Sequence, residues 1–356
     1  MTPVSIYLFN LGNVERLISI KWLQLALCKK YIFEFVLSLQ KLLTIHQMKI
    51  KYLWIYLFVF SLSFFASDGN ASTNNLVTAN KTWWFYKITK NNHAKGYLLG
   101  VIHTPLGDLV YPDVVVNSLE KSSKLYLELN IFDEKTKAEL QEEFLKMSIN
   151  HSIDTLLTSK TKSDLDSVIT AQNYSREDKK SIYALNPFLA MIDVMGPCAL
   201  VSFDGDPIEK KLHDQAKKLG HQVAALESVE DNYSWVNKLS KEEWNEYVEA
   251  HVRFVKDKDC NRKFNSYILQ MRKNMLQGDA DQMYENMLKF FTNDLPIAWF
   301  FEKYDLTPRN KKMALKIMQS VESEKMPFFA IGAGHLAGQK GVIYELQKLG
   351  YSVTQE

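Results

Sequence analysis

The sequence predicts an α/β protein, a single domain around a central mixed β-sheet that carries long helical insertions. Three observations carry that prediction. Aromatic and β-branched runs stand at both ends of the region after residue 80 and again in its middle, which is strand composition. Between them, apolar residues recur every three or four positions over long stretches, the period of amphipathic helices. Strands at the two ends must share a sheet to bury both faces, and no internal linker divides the region. With 46% hydrophobic and 24% charged residues, the 356-residue chain has the apolar mass such a core needs.

The elements follow in order. "TWWFYKIT" and "KGYLLGVI" read as two strands joined by the polar turn "KNNHAKG". "PDVVVNSLEKSS" opens with a Pro suited to a first helical turn, and "KLYLELN" is the third strand. From Asp133 to Leu200 the pattern is helical, in "DEKTKAELQEEFLKM", "SIDTLL", "KSDLDSVITA" and "SREDKKSIYALNPFLAMIDVM". "DPIEKKLHDQAKKLGHQVAALE" is a helix closed by Gly220 and a strand ending at Glu227. A second helical block covers Asn232 to Gln319. "MPFFAIGAGH" and "GQKGVIYELQKLGYSV" then give a strand, a turn, a helix closed by Gly350 and a last short strand.

The N-terminus departs from this pattern. From Met48 the chain reads "MKIKYLWIYLFVFSLSFFASDGNAS", with two lysines, an apolar run from Tyr52 to Ala66 and then small residues, the order of a secretory signal over residues 48–71. A membrane span needs roughly 20 apolar residues, and the run is shorter. Export to a secreted or periplasmic location is therefore expected, with a membrane anchor through residues 52–66 as the alternative. Residues 1–47 read as a leader of doubtful status, either translated upstream sequence or an amphipathic segment lying on a membrane. Residues 72–80 are a polar linker, and the folded domain occupies 81–356.

Composition narrows the partners. A formal net charge of +2 supplies no basic field, and no aromatic residues alternate with basic ones, so nucleic acid is not an expected partner. Membrane contact is expected only through the N-terminal signal or anchor. Of three cysteines, Cys198 and Cys260 lie in the domain; they either pair, as export permits, or stay as buried thiols. Asn80, Asn150, Asn173 and Asn232 open glycosylation triplets.

Four residues draw attention as chemistry. Each of two strands runs into a Gly-x-x-His, at His103 in "GVIH" and at His335 in "GAGH". Side chains just beyond strand ends face the crevice where α/β proteins bind ligands. A Gly ahead of each His lets a backbone or a ligand approach closely. Two further strands end in carboxylates, Glu128 in "LYLELN" and Glu227 in "VAALES". A carboxylate in an apolar run is costly unless it pairs or binds a cation; Arg309 is a candidate partner for a plain salt bridge. Two imidazoles and two carboxylates match a divalent metal site, where a bound water would ionise near neutral pH and a glutamate could move its proton. A histidine base oriented by a glutamate would serve hydrolysis without metal. No GxSxG, HExxH, P-loop or dinucleotide fingerprint is present.

The GVIH and GAGH units, the LYLELN and VAALES strands and the ending "FFAIGAGHLAGQKGVIYELQKLGYSV" together resemble the TraB/GumN family, which includes the Tiki proteases and PrgY. The resemblance spans Thr82 to Val353, and "RNKKMA" from Arg309 is similar to the family's Arg-Asn helix. It implies a metal-dependent hydrolase, a peptidase acting on peptide or protein substrates. His103, Glu128, Glu227 and His335 would be its catalytic and metal-binding residues, Arg309 and Asn310 its supporting ones, and manganese, cobalt or zinc its ion. The competing reading is a non-catalytic protein of the same fold that binds a peptide or haem. Around Pro187 the chain reads "YALNPFLAM", where many relatives have a basic residue and Trp, which bears on substrate preference.

Overall fold

The computed structural model describes residues 83–103, 111–199 and 206–356. The leader, signal and linker expected over residues 1–80 lie outside them. The predicted α/β class holds: six strands form one mixed sheet in the order β4-β3-β5-β2-β1-β6. These are β1 (Phe85–Lys90), β2 (His93–Val101), β3 (Lys124–Leu127), β4 (Gln222–Ala225), β5 (Phe328–Gly332) and β6 (Ser352–Gln355). Strands β2, β5, β3 and β4 run parallel, whereas β1 lies antiparallel between β2 and β6. The first and last strands are thus direct neighbours, with β6 as a largely exposed edge strand.

The hairpin between β1 and β2 is tighter than expected. Asn91 and Asn92 alone make the turn, with φ of 50° and 61°, and "HAKG" belongs to β2. Asn tolerates the left-handed region, and two such residues match the twist of a two-residue hairpin. A register shift between Ile88 and Thr89 absorbs the irregularity.

Several of the helices begin at capping residues. After α1 (Asp113–Lys121) come α2 (Glu134–Asn150), α3 (Ser159–Ala171), α4 (Arg176–Ala184) and α5 (Pro187–Met195). Next are α6 (Ile208–Lys218), α7 (Lys241–Lys256), α8 (Cys260–Gln277), α9 (Ala280–Asn293), α10 (Leu306–Ser323) and α11 (Val342–Lys348). Ser175 with Asp178 and Ser240 with Glu243 form reciprocal capping boxes that start α4 and α7. Gly278, at φ 67°, closes α8.

Two apolar cores result. Leu98, Leu99, Leu125, Phe328 and Phe329 fill the sheet core with Met313 and Ile317 of α10. Strand β5 is buried along its whole length, as a central parallel strand should be. The helical insertions build a second core around Trp235, Trp244, Phe264 and Phe290. Cys198 and Cys260 form a disulfide there, tying the turn after α5 to the first residue of α8. Asn232, fully buried against Glu227, is closed to a glycan in the folded protein, whereas Asn150 and Asn173 are exposed. Among the described residues, no helix is long and apolar enough to cross a membrane.

Candidate active site

The four parallel strands point their C-terminal ends to one edge of the sheet, so the residues just beyond them must meet there. Strand pairing continues past the formal ends: the Glu128 amide donates to the Ala330 carbonyl at 3.1 Å and the Glu227 amide to the Glu128 carbonyl at 3.0 Å. His103 follows β2, Glu128 follows β3, Glu227 follows β4 and His335 closes the short helical turn after β5. The sheet therefore delivers all four residues singled out from sequence to one edge.

Arg309 and Asn310, adjacent on α10 and each 3% exposed, lock this group together. The Arg309 guanidinium donates through Nε and Nη2 to Glu227, at 3.0 and 2.6 Å, through Nη2 to Glu128 as well, and through Nη1 to Asp305 at 2.5 Å. The salt-bridge alternative is thus realised for Glu227, whose Oε2 also accepts from Asn232 at 3.2 Å. Glu128 shares the same arginine but keeps a second face: its Oε2 accepts the Gly332 amide at 2.9 Å, and His335 Nε2 stands 3.6 Å from its Oε1. His103 Nε2 stands 3.9 Å from Glu128 Oε2.

Both imidazoles are anchored by the other nitrogen. His335 Nδ1 lies 2.5 Å from Asn310 Oδ1, and the Asn310 amide donates to the Lys340 carbonyl at 2.8 Å, which orients it. His103 Nδ1 pairs with the Glu209 carboxylate at the start of α6. Asn310 was visible in the sequence as part of the Arg-Asn helix. Glu209 was not, because "DPIEKKLHDQ" offers several charged residues in one helical turn and nothing local marks the one that reaches back to β2.

The electrostatics follow from burial and these partners. Burial pulls the His103 pKa down, but the charge and hydrogen bond of Glu209, with Glu128 adding, outweigh it and raise it to about 9. Burial would raise the pKa of Glu128; His335 and Arg309 hold it well below the usual carboxylate range instead. Burial also opposes the Arg309 charge, which Glu128, Asp305 and Glu227 sustain. Gly332 completes the crowding: a β-carbon there would lie 2.7 Å from His103 Nε2 and 3.1 Å from Glu128 Oε2, so any side chain would push His103 from its place.

Comparison with protein-family models matches residues 84–355 to the TraB/PrgY/gumN family. The chain belongs to that family. Curated proteins and solved structures gave no match. The TraB/PrgY/gumN match covers every element of the sheet and all six site residues named from sequence, as the resemblance implied.

The donors of this TraB/PrgY/gumN chain are largely committed to one another. Among the described residues, no three His, Cys, Asp or Glu side chains are gathered into a complete ligand set. The reason is visible: Arg309 draws Glu227, Asp305 and one oxygen of Glu128, while Glu209 serves His103. The side chains that come nearest to such a set are His103, His335 and Glu128. A histidine whose Nδ1–H is held by an oxygen acceptor presents Nε2 as a lone pair, the usual condition of a metal-binding imidazole. The two imidazoles approach different oxygens of Glu128, His335 Nε2 at 3.6 Å from Oε1 and His103 Nε2 at 3.9 Å from Oε2. Four carboxylates, Glu128, Glu209, Glu227 and Asp305, surround Arg309, His103 and His335.

Proposed function

We propose that this protein is an exported hydrolase of peptide bonds, with His103, Glu128 and His335 holding a divalent cation such as manganese, cobalt or zinc. The observation that carries the reading is the pair of anchored imidazoles, each with Nδ1 tied to oxygen and Nε2 turned toward one ionised carboxylate. When bound, such a cation supplies Lewis acidity and lowers the pKa of water to near neutrality. The chain's own residues do the rest. Glu209 and Asn310 fix the imidazole rings. Against burial, His335 and Arg309 together keep the Glu128 carboxylate ionised, and Glu227 holds Arg309 in place. Because Glu209 raises the His103 pKa to about 9, a cation there competes with a proton and would be held less tightly as pH falls.

The Cys198–Cys260 disulfide supports an oxidising compartment, which agrees with export. A cavity of about 140 Å³ borders the site. Pockets that enclose drug-sized ligands run roughly 300–1,000 Å³, so its size favours a substrate side chain over haem.

The test is metal content and hydrolysis of a mixed peptide library by wild type and variants. His103→Ala and His335→Ala should lose metal and activity together, and added manganese, cobalt or zinc should restore chelator-treated wild type but neither variant. Glu128→Gln should behave as the histidine variants do. Retained metal with turnover down about 10²- to 10⁴-fold would make Glu128 the proton acceptor instead. Hydrolysis unchanged by chelators but abolished in His103→Ala would remove the metal and leave a histidine base oriented by Glu209.

A further inference from the structure

The cavity beside the histidines has two unlike walls. One is the ionic cluster already described. The other is apolar: Ile268 and Met271 of α8, Met287 and Phe291 of α9, and Phe301 and Leu306, which bracket the entry to α10. Tyr267 of α8 also lines the cavity, but none of these six side chains can donate or accept a strong hydrogen bond, so a charged or amide group placed against them would lose hydration uncompensated.

Resting on the hydrolase reading above, we propose that this wall is a specificity pocket for one aliphatic or phenyl side chain of the substrate, adjacent to the bond that is cut. Size is the first argument. A cavity of about 140 Å³ compares with the apolar cavity of about 150 Å³ that takes up benzene, so it admits one side chain of that order and not a longer stretch of peptide. Position is the second. At Gly334, beside His335, a β-carbon would lie 3.3 Å from Met287 Sδ and 3.7 Å from a Leu306 methyl, so the apolar wall packs directly onto the turn that carries the histidine. A side chain in the pocket therefore leaves its own backbone carbonyl at the ionic wall.

Backbone geometry is the third argument. Residues Phe301–Asp305 form a π-helical turn, an irregularity that accumulates at functional sites. Here it sets both Phe301 and Asp305 on the cavity, one for the apolar wall and one for Arg309. Two methionines in the lining add adaptability, so branched and unbranched side chains can both be accommodated.

The experiment separates this pocket from the hydrolase reading by measuring binding without turnover. Full-length processed protein is titrated with N-acetyl amides of Gly, Leu, Met, Phe, Lys and Asp, followed by NMR shifts, and in parallel with matched peptide substrates. The Leu, Met and Phe amides should bind about 10- to 100-fold more tightly than the Gly amide, the gain from burying such a side chain, and the Lys and Asp amides no better than Gly. Met271→Trp should fill the pocket and remove the difference, and Phe291→Leu should enlarge it and shift preference toward the Phe amide. Selective binding with no cleavage of any peptide would support the pocket while ending the hydrolase reading. Cleavage of Gly, Lys and Leu substrates at equal kcat/KM, or equal binding of all six amides, would overturn the pocket.

Discussion

At the scale of single residues, the site depends on groups that hold other groups. Glu209 comes from outside the four strand ends, yet its hydrogen bond sets the ring and charge of His103. Glu209→Gln should lower metal affinity or activity about 10- to 100-fold, the usual cost of losing such an orienting partner, with little change in thermal stability. Activity within twofold of wild type would refute this role. A second histidine shows the opposite electrostatics. His251, buried in the helical core with Nδ1 on the Tyr247 carbonyl at 2.7 Å, has its pKa lowered by burial to about 4. The unfolded chain takes up that proton first, near the ordinary histidine value of 6.5, so this group costs stability progressively as pH falls from about 6.5 to about 4. The loss across that window is on the order of 3 kcal/mol, since one pH unit corresponds to about 1.36 kcal/mol. Denaturant midpoints of wild type and His251→Phe, compared across the same window, should converge as pH falls; parallel curves would contradict the lowered pKa.

At the scale of elements, the four parallel strand ends explain why a strand should run into a histidine. The sequence made His103, Glu128, Glu227 and His335 legible because each breaks an apolar run at its end, and burial of such a group demands a reason. It could not say that Glu227 meets Arg309 face on while Glu128 divides itself between Arg309 and the histidines, since that depends on the angle of α10 over the sheet. The turn after β5 depends on Gly341, where a β-carbon would lie 2.3 Å from the backbone carbonyl oxygens of both Leu336 and Ala337. Neither carbonyl can step aside, because Leu336 and Ala337 are buried. Gly341→Ala should cost about 1–3 kcal/mol or more by overpacking and should carry His335 with it, so activity falls more than the population of folded protein. A loss below about 0.5 kcal/mol, the range of an ordinary surface change, would show that the turn can relax.

At the scale of the whole molecule, the sheet core and the helical core are stabilised by different means. The sheet buries β5 on both faces, whereas the insertions rely on aromatic packing and on a disulfide spanning 62 residues. Closing a loop of that length constrains the unfolded chain by about 4 kcal/mol on the chain-entropy model. The Cys198→Ser, Cys260→Ser double variant should therefore unfold with a loss of about 2–5 kcal/mol, seen in its denaturant midpoint. Equal midpoints, or a wild-type mass showing two free thiols, would contradict the pairing. Because α8 begins at Cys260 and carries Ile268 and Met271, the same variant should loosen the apolar wall of the cavity before it disturbs the ionic one.

By itself the sequence determined the α/β class, the order of strands and helices, and the residues that had to be buried at a cost. Those follow from local periodicity and composition, which act over a few residues. Only the tertiary structure decided which carboxylate faces which cation, that Glu209 belongs to the site, that Cys198 and Cys260 pair, and that an apolar cavity adjoins the histidines. These depend on distances between segments remote in the chain, such as the 106 residues between His103 and Glu209, and no local pattern encodes a distance that packing alone sets.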